Sequence, residues 1–335
     1  MTPPEKPRWL WGVAWREVVL GPRGVVKTSA LWLTVALGAA TGGALPSVGE
    51  LLALLGAVVL WAQGSILVND LSDRSDDLAA GKERWIQTLP GRLGAVVAAA
   101  LLAAGLAACL AGRAPCRAIA AYAAAAALGV LYSVWPTRLK DRGALGPLGY
   151  AGACTLAYAV LPWAWMEADW LVLAAAGAVV FFDKWVNLHF HQVVDYEADS
   201  SRGRQTLAVG LGLRRAREVL GWLASAAAVV SFAPLVVVAL RVRPWGAAIG
   251  FAAALVALAA SAYARWARRG GERASALVSE LPASYLGVSF AVLRVLPLAL
   301  LGRVALAEPR VWVFFALAAL VIAGESAHAF RYRYR

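Results

Sequence analysis

Charge is scarce in this chain, and carboxylates are scarcer than cations: 16% of its 335 residues are charged, with 20 Asp and Glu against 32 Lys and Arg. Cysteine is rarer still. Cys109, Cys116 and Cys154 fall in or beside apolar segments without metal-ligand spacing, which favours packing over redox or zinc chemistry. No Ser/Pro-rich linker or low-complexity tract divides the sequence, so a single domain spanning residues 1–335 is expected. The N-terminal MTPPEKPRWLWGVAWREVV lacks a continuous apolar core followed by a small-residue cleavage site, which speaks against a removable signal peptide. Its Trp9, Trp11 and Trp15 suit a segment at a membrane interface.

What the chain has in abundance is apolar surface, 61% of all residues. Several runs reach the roughly 20 apolar residues that a bilayer-crossing helix needs. The expected spans are 27–46, 48–68, 93–112, 115–134, 144–166, 169–190, 217–240, 245–266, 283–304 and 311–330. They describe an all-α polytopic membrane bundle of about nine to ten transmembrane helices around a central cavity. Alternate connections are rich in Arg and Lys, from Lys6, Arg8, Arg16 and Arg23 through Arg138–Arg142 and Arg202–Arg217 to the RYRYR tail. The positive-inside rule then places both termini and these loops in the cytoplasm, at the cell membrane. The net charge of +12 is accounted for by this topology, so no nucleic-acid partner is expected.

Against that background NDLSDRSDD (69–77) stands out, with four aspartates in nine residues after the apolar run 51–68. If the helix continues, Asn69, Asp73 and Asp77 stack on one face, and carboxylates so close demand a cation among them. A second loop repeats the register. Asn69, Asp73, Asp77, Gly81 and Lys82 correspond to His191, Asp195, Asp199, Gly203 and Arg204. Both copies end even-numbered spans and therefore share one side of the membrane. Stepping back by fours from Asp199 gives Asp195, His191, Asn187 and Asp183, a polar row that enters the sixth span and suits one wall of a wet cavity. Magnesium commonly binds through one or two carboxylates plus substrate phosphates. Lys82, Arg84, Arg138, Lys140 and Arg204 supply the cations that a diphosphate would want. The combination points to a metal–diphosphate site opening into an apolar chamber, suited to an isoprenyl diphosphate.

These residues resemble the UbiA superfamily of intramembrane prenyltransferases. NDLSDRSDD matches its N-D-x-x-D-x-x-x-D pattern, DYEADSSRG its D-x-x-x-D-x-x-x-G pattern, and YSVWPTRLKDRG the connection after the fourth helix. The similarity runs from about residue 25 to about residue 300. It implies that Mg2+ held by Asn69, Asp73, Asp77, Asp195 and Asp199, with Asp70 in support, binds the donor and helps pyrophosphate leave. Asp73 and Asp195 are the implied catalytic ligands, and Lys82, Arg84, Tyr132, Arg138, Lys140 and Arg204 the implied diphosphate contacts. The resulting allylic cation would alkylate a lipophilic, often aromatic, acceptor. Two features depart from the pattern. The family usually has nine spans, which makes 311–330 an addition, and GKERWIQTLPGRLG lacks the common K-P-x-R-P form around Lys82 and Arg84.

Other readings attach to single residues. His189 and His191 fit packing as well as acceptor orientation, and Asp183 can pair with Lys184 or an interior Arg. Arg294 and Glu325 lie inside apolar segments and can pair with each other. Interface belts explain most tryptophans, while one or two of Trp135, Trp163, Trp165 and Trp185 would stabilise a carbocation if they faced the cavity. A transporter is the rival class, although its repeats usually place broken helices at the midplane rather than acidic loops at one face. Within the enzyme class, a terpene cyclase and a polyprenyl-phosphate sugar transferase remain alternatives.

Overall fold

The computed structural model describes residues 28–79, 86, 89–242 and 281–332. Those residues fold into helices, and the one β-type pairing among them is an isolated bridge between Gly143 and Thr206. In chain order the helices are α1 (Ser29–Ala40), α2 (Val48–Ser72), α3 (Arg74–Ala79), α4 (Gly91–Ala111) and α5 (Cys116–Ser133). There follow α6 (Leu145–Thr155), α7 (Leu161–Met166), α8 (Trp170–Val194), α9 (Tyr196–Ser201), α10 (Leu207–Leu211) and α11 (Leu213–Val230). The set closes with α12 (Ala233–Arg241), α13 (Ala283–Phe290), α14 (Leu296–Ala307) and α15 (Val311–Tyr332).

Local chemistry explains where the helices begin and break. Ser47 and Glu50 form a reciprocal capping box that starts α2, and the Asp169 carboxylate accepts from Leu171 N at 2.9 Å to start α8. Between α6 and α7 the chain makes one π-helical turn, Leu156–Val160, and between α13 and α14 another, Ala291–Val295. Each turn is followed two residues later by a proline, Pro162 or Pro297, which has no N–H to give to the carbonyl four residues back. For Pro162 that carbonyl is Tyr158 O, and the Thr34 hydroxyl donates to it at 3.0 Å. A hydroxyl on α1 thus satisfies a carbonyl that proline leaves without its usual donor.

Apolar on all sides, α1 is buried from Ser29 to Ala39 and packs against α7, α8, α14 and both π turns, with Trp32, Leu31, Leu33 and Leu37 fully enclosed. A second core joins the last turns of α8 to α11 and α13 through Val186, Phe190, Leu220 and Tyr285. The pair α2 and α4 closes through glycines: a Cβ on Gly64 would meet Leu102 at 2.7 Å and one on Gly94 would meet Leu71 at 2.7 Å.

Among the described residues six helices are long and apolar enough to cross a membrane: Val48–Ser72, Gly91–Ala111, Cys116–Ser133, Trp170–Val194, Leu213–Arg241 and Ser284–Ala307. The chain is an all-helical integral membrane protein. The expected nine to ten spans are not reached among these residues, for three reasons. Ser29–Ala40 and the apolar part of the last helix, Val311–Glu325, are shorter; the run at 144–166 is divided by its π turn; and 245–266 lies outside the described residues.

Candidate active site

The first acidic motif carries helical geometry through the end of α2. Asp73 N donates to Asn69 O at 2.9 Å and Asp77 N to Asp73 O at 2.8 Å, so the register expected from the spacing continues into α3. The loop after α5 reaches this stripe with its cations. It turns at Arg138 (φ 34°), makes a 3-10 turn at Leu139–Asp141 and turns again at Gly143 (φ 52°), left-handed conformations that let a short loop fold back on itself. As a result Lys140 Nζ lies 2.7 Å from Asp73 Oδ1 and 3.0 Å from Asn69 Oδ1. Arg138 reaches Asp73 Oδ1 at 3.2 Å and Asp76 Oδ2 at 3.4 Å, while its Nε stands 2.5 Å from Asp141 Oδ2.

The second motif repeats the backbone pattern: Asp195 N donates to His191 O, and Asp199 N to Asp195 O, each at 2.9 Å. Gly203 (φ 67°) then bends the chain so that Arg204 N donates to Asp199 O at 3.0 Å. Arg204 spans the two motifs. Its Nη2 lies 2.5 Å from Asp76 Oδ2 and 3.5 Å from Asp73 Oδ1, and its Nη1 3.9 Å from Asp199 Oδ1. The loops themselves are joined by Gly143 N donating to Gln205 O at 2.8 Å.

Burial sets the electrostatics. It pushes the Lys140 ammonium below its ordinary value, opposed by the Asp73 carboxylate, and it raises the Asp199 carboxyl against the pull of Arg204. Burial also opposes ionisation of Asp76, but the hydrogen bond and charge of Arg204 prevail and hold it low. Burial disfavours the charged Arg204 too, and Asp76 with Asp73 outweighs it, raising its value. The cluster is a set of opposite charges paired within a few ångströms of one another, so removing one member leaves a partly buried partner uncompensated.

The structure brings together Asn69, Asp73, Arg138, Lys140, Arg204 and Asp199, and leaves Asp195 exposed beside them. Asp70 is buried and Asp77 half-buried. Lys82 and Arg84 lie outside the described residues. Asp76 was not singled out by the four-residue count. An α-helix turns about 100° per residue, so position 76 returns to within about 20° of Asn69 whereas position 77 lies about 80° away. The i, i+4, i+7 rule would have found it.

Beside the cluster a cavity of about 300 Å3 runs down between α2, α5, α6 and α8. Asn69, Ser133 and His191 line it at the charged end, Tyr132, Tyr150 and Asn187 along the way, and Trp61 and Tyr158 deeper in. Asp183 is not among its lining residues, which corrects the expected wall. Steps of four wind around the helix by about 40° each, and by Asp183 the row has turned towards α13. There its carboxylate accepts from Tyr285 Oη at 3.1 Å and Ser289 Oγ at 2.8 Å and pairs with Lys184 at 3.1 Å. Arg294 and Glu325 pair at 3.1 Å. His189 is interior, with Nε2 3.0 Å from Ala216 O, tying α8 to α11. Of the tryptophans, Trp61 lines the cavity; Trp135 is 80% exposed, and Trp163, Trp165 and Trp185 are not lining residues.

Could this set hold a divalent cation? Among the described residues no three His, Cys, Asp or Glu side chains are placed to hold a metal by themselves. The donor chemistry nevertheless fits magnesium. Asn69, Asp73, Asp76, Asp195 and Asp199 present oxygen donors, which suit a hard cation that keeps water and takes its remaining oxygens from a phosphate. The carboxylates now answered by Lys140, Arg138 and Arg204 would exchange those partners for the metal, freeing the cations for an anionic ligand.

Known proteins share both the sequence pattern and the fold. A sequence profile described as the UbiA prenyltransferase family matches residues 29–285. Similar solved structures include a UbiA homologue from Archaeoglobus fulgidus bound to GPP and Mg2+, at 21% identity and TM-score 0.57, covering 80% of this chain and 96% of that one. The apo UbiA homologue from Aeropyrum pernix K1 is 17% identical at TM-score 0.54, covering 84% and 98%. A digeranylgeranylglyceryl phosphate synthase structure is 14% identical at TM-score 0.56, covering 95% and 99%. At these identities the likeness establishes the fold. No curated protein sequence matches the chain.

Proposed function

The chain belongs to the UbiA prenyltransferase family, and from that premise we propose that it transfers the prenyl group of an isoprenyl diphosphate to a lipophilic acceptor of aromatic character that reaches the site from the bilayer. The observation that carries this reading is the meeting of two acidic helix ends and three cations at the mouth of a cavity whose walls are largely aromatic and aliphatic. Charge at one end and apolar surface at the other match a donor with a diphosphate head and a hydrocarbon tail. Solved relatives bound to GPP or DMAPP with Mg2+ support both the donor class and the metal.

Magnesium, when bound, would supply Lewis-acid stabilisation of the leaving diphosphate oxygen. Asn69, Asp73 and Asp76 from one loop, with Asp195 and Asp199 from the other, are the residues to hold it. Lys140, Arg138 and Arg204 then turn to the diphosphate oxygens, with the arginines able to grip them bidentately. With the carboxylates facing the metal and Lys140, Arg138 and Arg204 facing the diphosphate, the exchange of partners would add little net charge to the cluster. The apolar walls below shield the allylic cation from water. A cyclase or a sugar-phosphate transferase would use the same donor site. The transporter reading has no counterpart in the family match.

The basic loops support an orientation with the acidic motifs on the cytoplasmic face, at the cell membrane. Reporter fusions at residues 5 and 333 should both read cytoplasmic; opposite faces would remove one span. For the activity itself, purified protein in detergent should release pyrophosphate from a prenyl diphosphate, stop with EDTA and resume with added magnesium. Release that ignores EDTA would overturn the metal assignment.

A further inference from the structure

Resting on this donor reading, we infer that the chain selects short prenyl diphosphates, with a ten-carbon tail the best fit, because Trp61 and Tyr158 close the floor of the cavity. The four helices around the cavity descend from the charged end, and their lining residues can be ordered by depth. On α2 the lining runs from Asn69 down to Trp61, on α5 from Ser133 to Gly129, on α8 from His191 to Asn187, and along α6 and its π turn from Tyr150 to Tyr158. Small residues, Ala62, Gly129 and Ala153, line the sides, and the deepest positions on α2 and on the α6 rod are both large aromatics.

Two measures of capacity agree. Eight residues of helix from Asn69 to Trp61 descend about 12 Å. An isoprene unit advances the chain by four carbon–carbon bonds of about 1.5 Å each, roughly 5 Å once their zigzag is counted, so two units fit and a third meets the floor. By volume, an apolar cavity of about 150 Å3 accommodates the six carbons of benzene. The 300 Å3 found here therefore holds about a dozen carbons.

The floor is braced from several directions. Trp61 and Tyr158 meet edge to face with ring centroids 5.5 Å apart, and both are buried, at 4% and 5% exposure. The Lys184 ammonium lies 5.9 Å from the Tyr158 ring centroid and is itself fixed by Asp183. The Tyr158 backbone is held by Thr34. Displacing either ring would break their edge-to-face contact, and displacing Tyr158 would also take its ring away from Lys184, so a longer tail meets a packed floor.

The test ranks geranyl, farnesyl and geranylgeranyl diphosphates by kcat/KM for pyrophosphate release, and ranks their S-thiolodiphosphate analogues by binding. Wild type should favour the ten-carbon donor over the twenty-carbon one by tenfold or more in both readouts. Trp61→Ala should move the preference to longer tails. Ala153→Leu, which fills rather than empties the cavity and so guards against a variant that fails to fold, should move it to dimethylallyl diphosphate. Equal use of ten- and twenty-carbon donors by wild type, or an unchanged ranking in a folded Trp61→Ala and a folded Ala153→Leu, overturns the inference. Short analogues bound in preference without any pyrophosphate release would instead overturn the catalytic reading and leave the chain-length inference standing.

Discussion

The two acidic loops share a spacing but not an environment. In the first, Asp73 is 8% exposed and faces Lys140, Arg138 and Arg204 within 3.5 Å. In the second, the matching Asp195 is exposed, and it is Asp199, one turn on, that is buried at 7% and turned towards Arg204. The difference arises from what each helix end meets. The loop after α5 folds over the end of α2 and delivers its cations there, whereas the end of α8 runs on into α9, where among the described residues the cation paired with Asp199 is Arg204, from further along its own loop. Equal spacing puts carboxylates in equivalent helical positions; the neighbouring loops decide which of them are also structural.

The sharpest way to break this comparison is to remove the two middle aspartates. Asp73→Ala and Asp195→Ala should each lower pyrophosphate release by about a hundredfold or more, since losing a metal ligand forfeits several kcal/mol of charge stabilisation. Only Asp73→Ala should also lower the melting temperature, because it strands the buried Lys140 ammonium, a loss of about 3 kcal/mol. Thermal unfolding in detergent checks this, and equal melting temperatures for the two variants would erase the distinction drawn between the loops.

A smaller effect is expected where the loops are tied. Arg204→Ala should weaken donor binding by about tenfold or more, the size of a lost charge-assisted hydrogen bond, and Arg204→Lys should recover part of it. The neighbouring Arg202→Ala should bind donor like wild type. If Arg204→Ala does so as well, its contacts with Asp76 and Asp199 serve folding alone. Smaller again is Gly143→Ala. A Cβ there meets nothing within 4 Å, so the cost is that of φ +52° for a residue with a side chain, about 1 kcal/mol. A drop of a few degrees in melting temperature with an unchanged donor KM is the expected result; a large rise in KM would mean that the Gly143–Gln205 link positions the cations.

Much of this was legible in the sequence because it depended on helical geometry. The acidic registers run on past their spans as the spacing required, and the pairs Asp183–Lys184 and Arg294–Glu325 are among the partnerships that apolar surroundings force on lone charges. Convergence of Arg138 and Lys140 on the acidic stripe was also anticipated from the connection after α5. What escaped had a common cause. Counting by fours approximates a period of 3.6, and the error grows with distance, which hid Asp76 and carried Asp183 off the cavity wall. The π turns escaped because their cause, Pro162 or Pro297 inside an apolar run, is a local break that span-length reasoning passes over. Trp61 as a cavity floor could be found only once the helices were placed around it.

Whether two loops far apart in sequence make one site is tested most directly by combining Asp73→Ala with Asp195→Ala and measuring pyrophosphate release from a prenyl diphosphate, with folded protein confirmed for each variant. Residues that act as a unit are non-additive, so the double variant should fall within about threefold of the worse single one. Losses that multiply, or near-normal release from either single variant, would contradict a shared site.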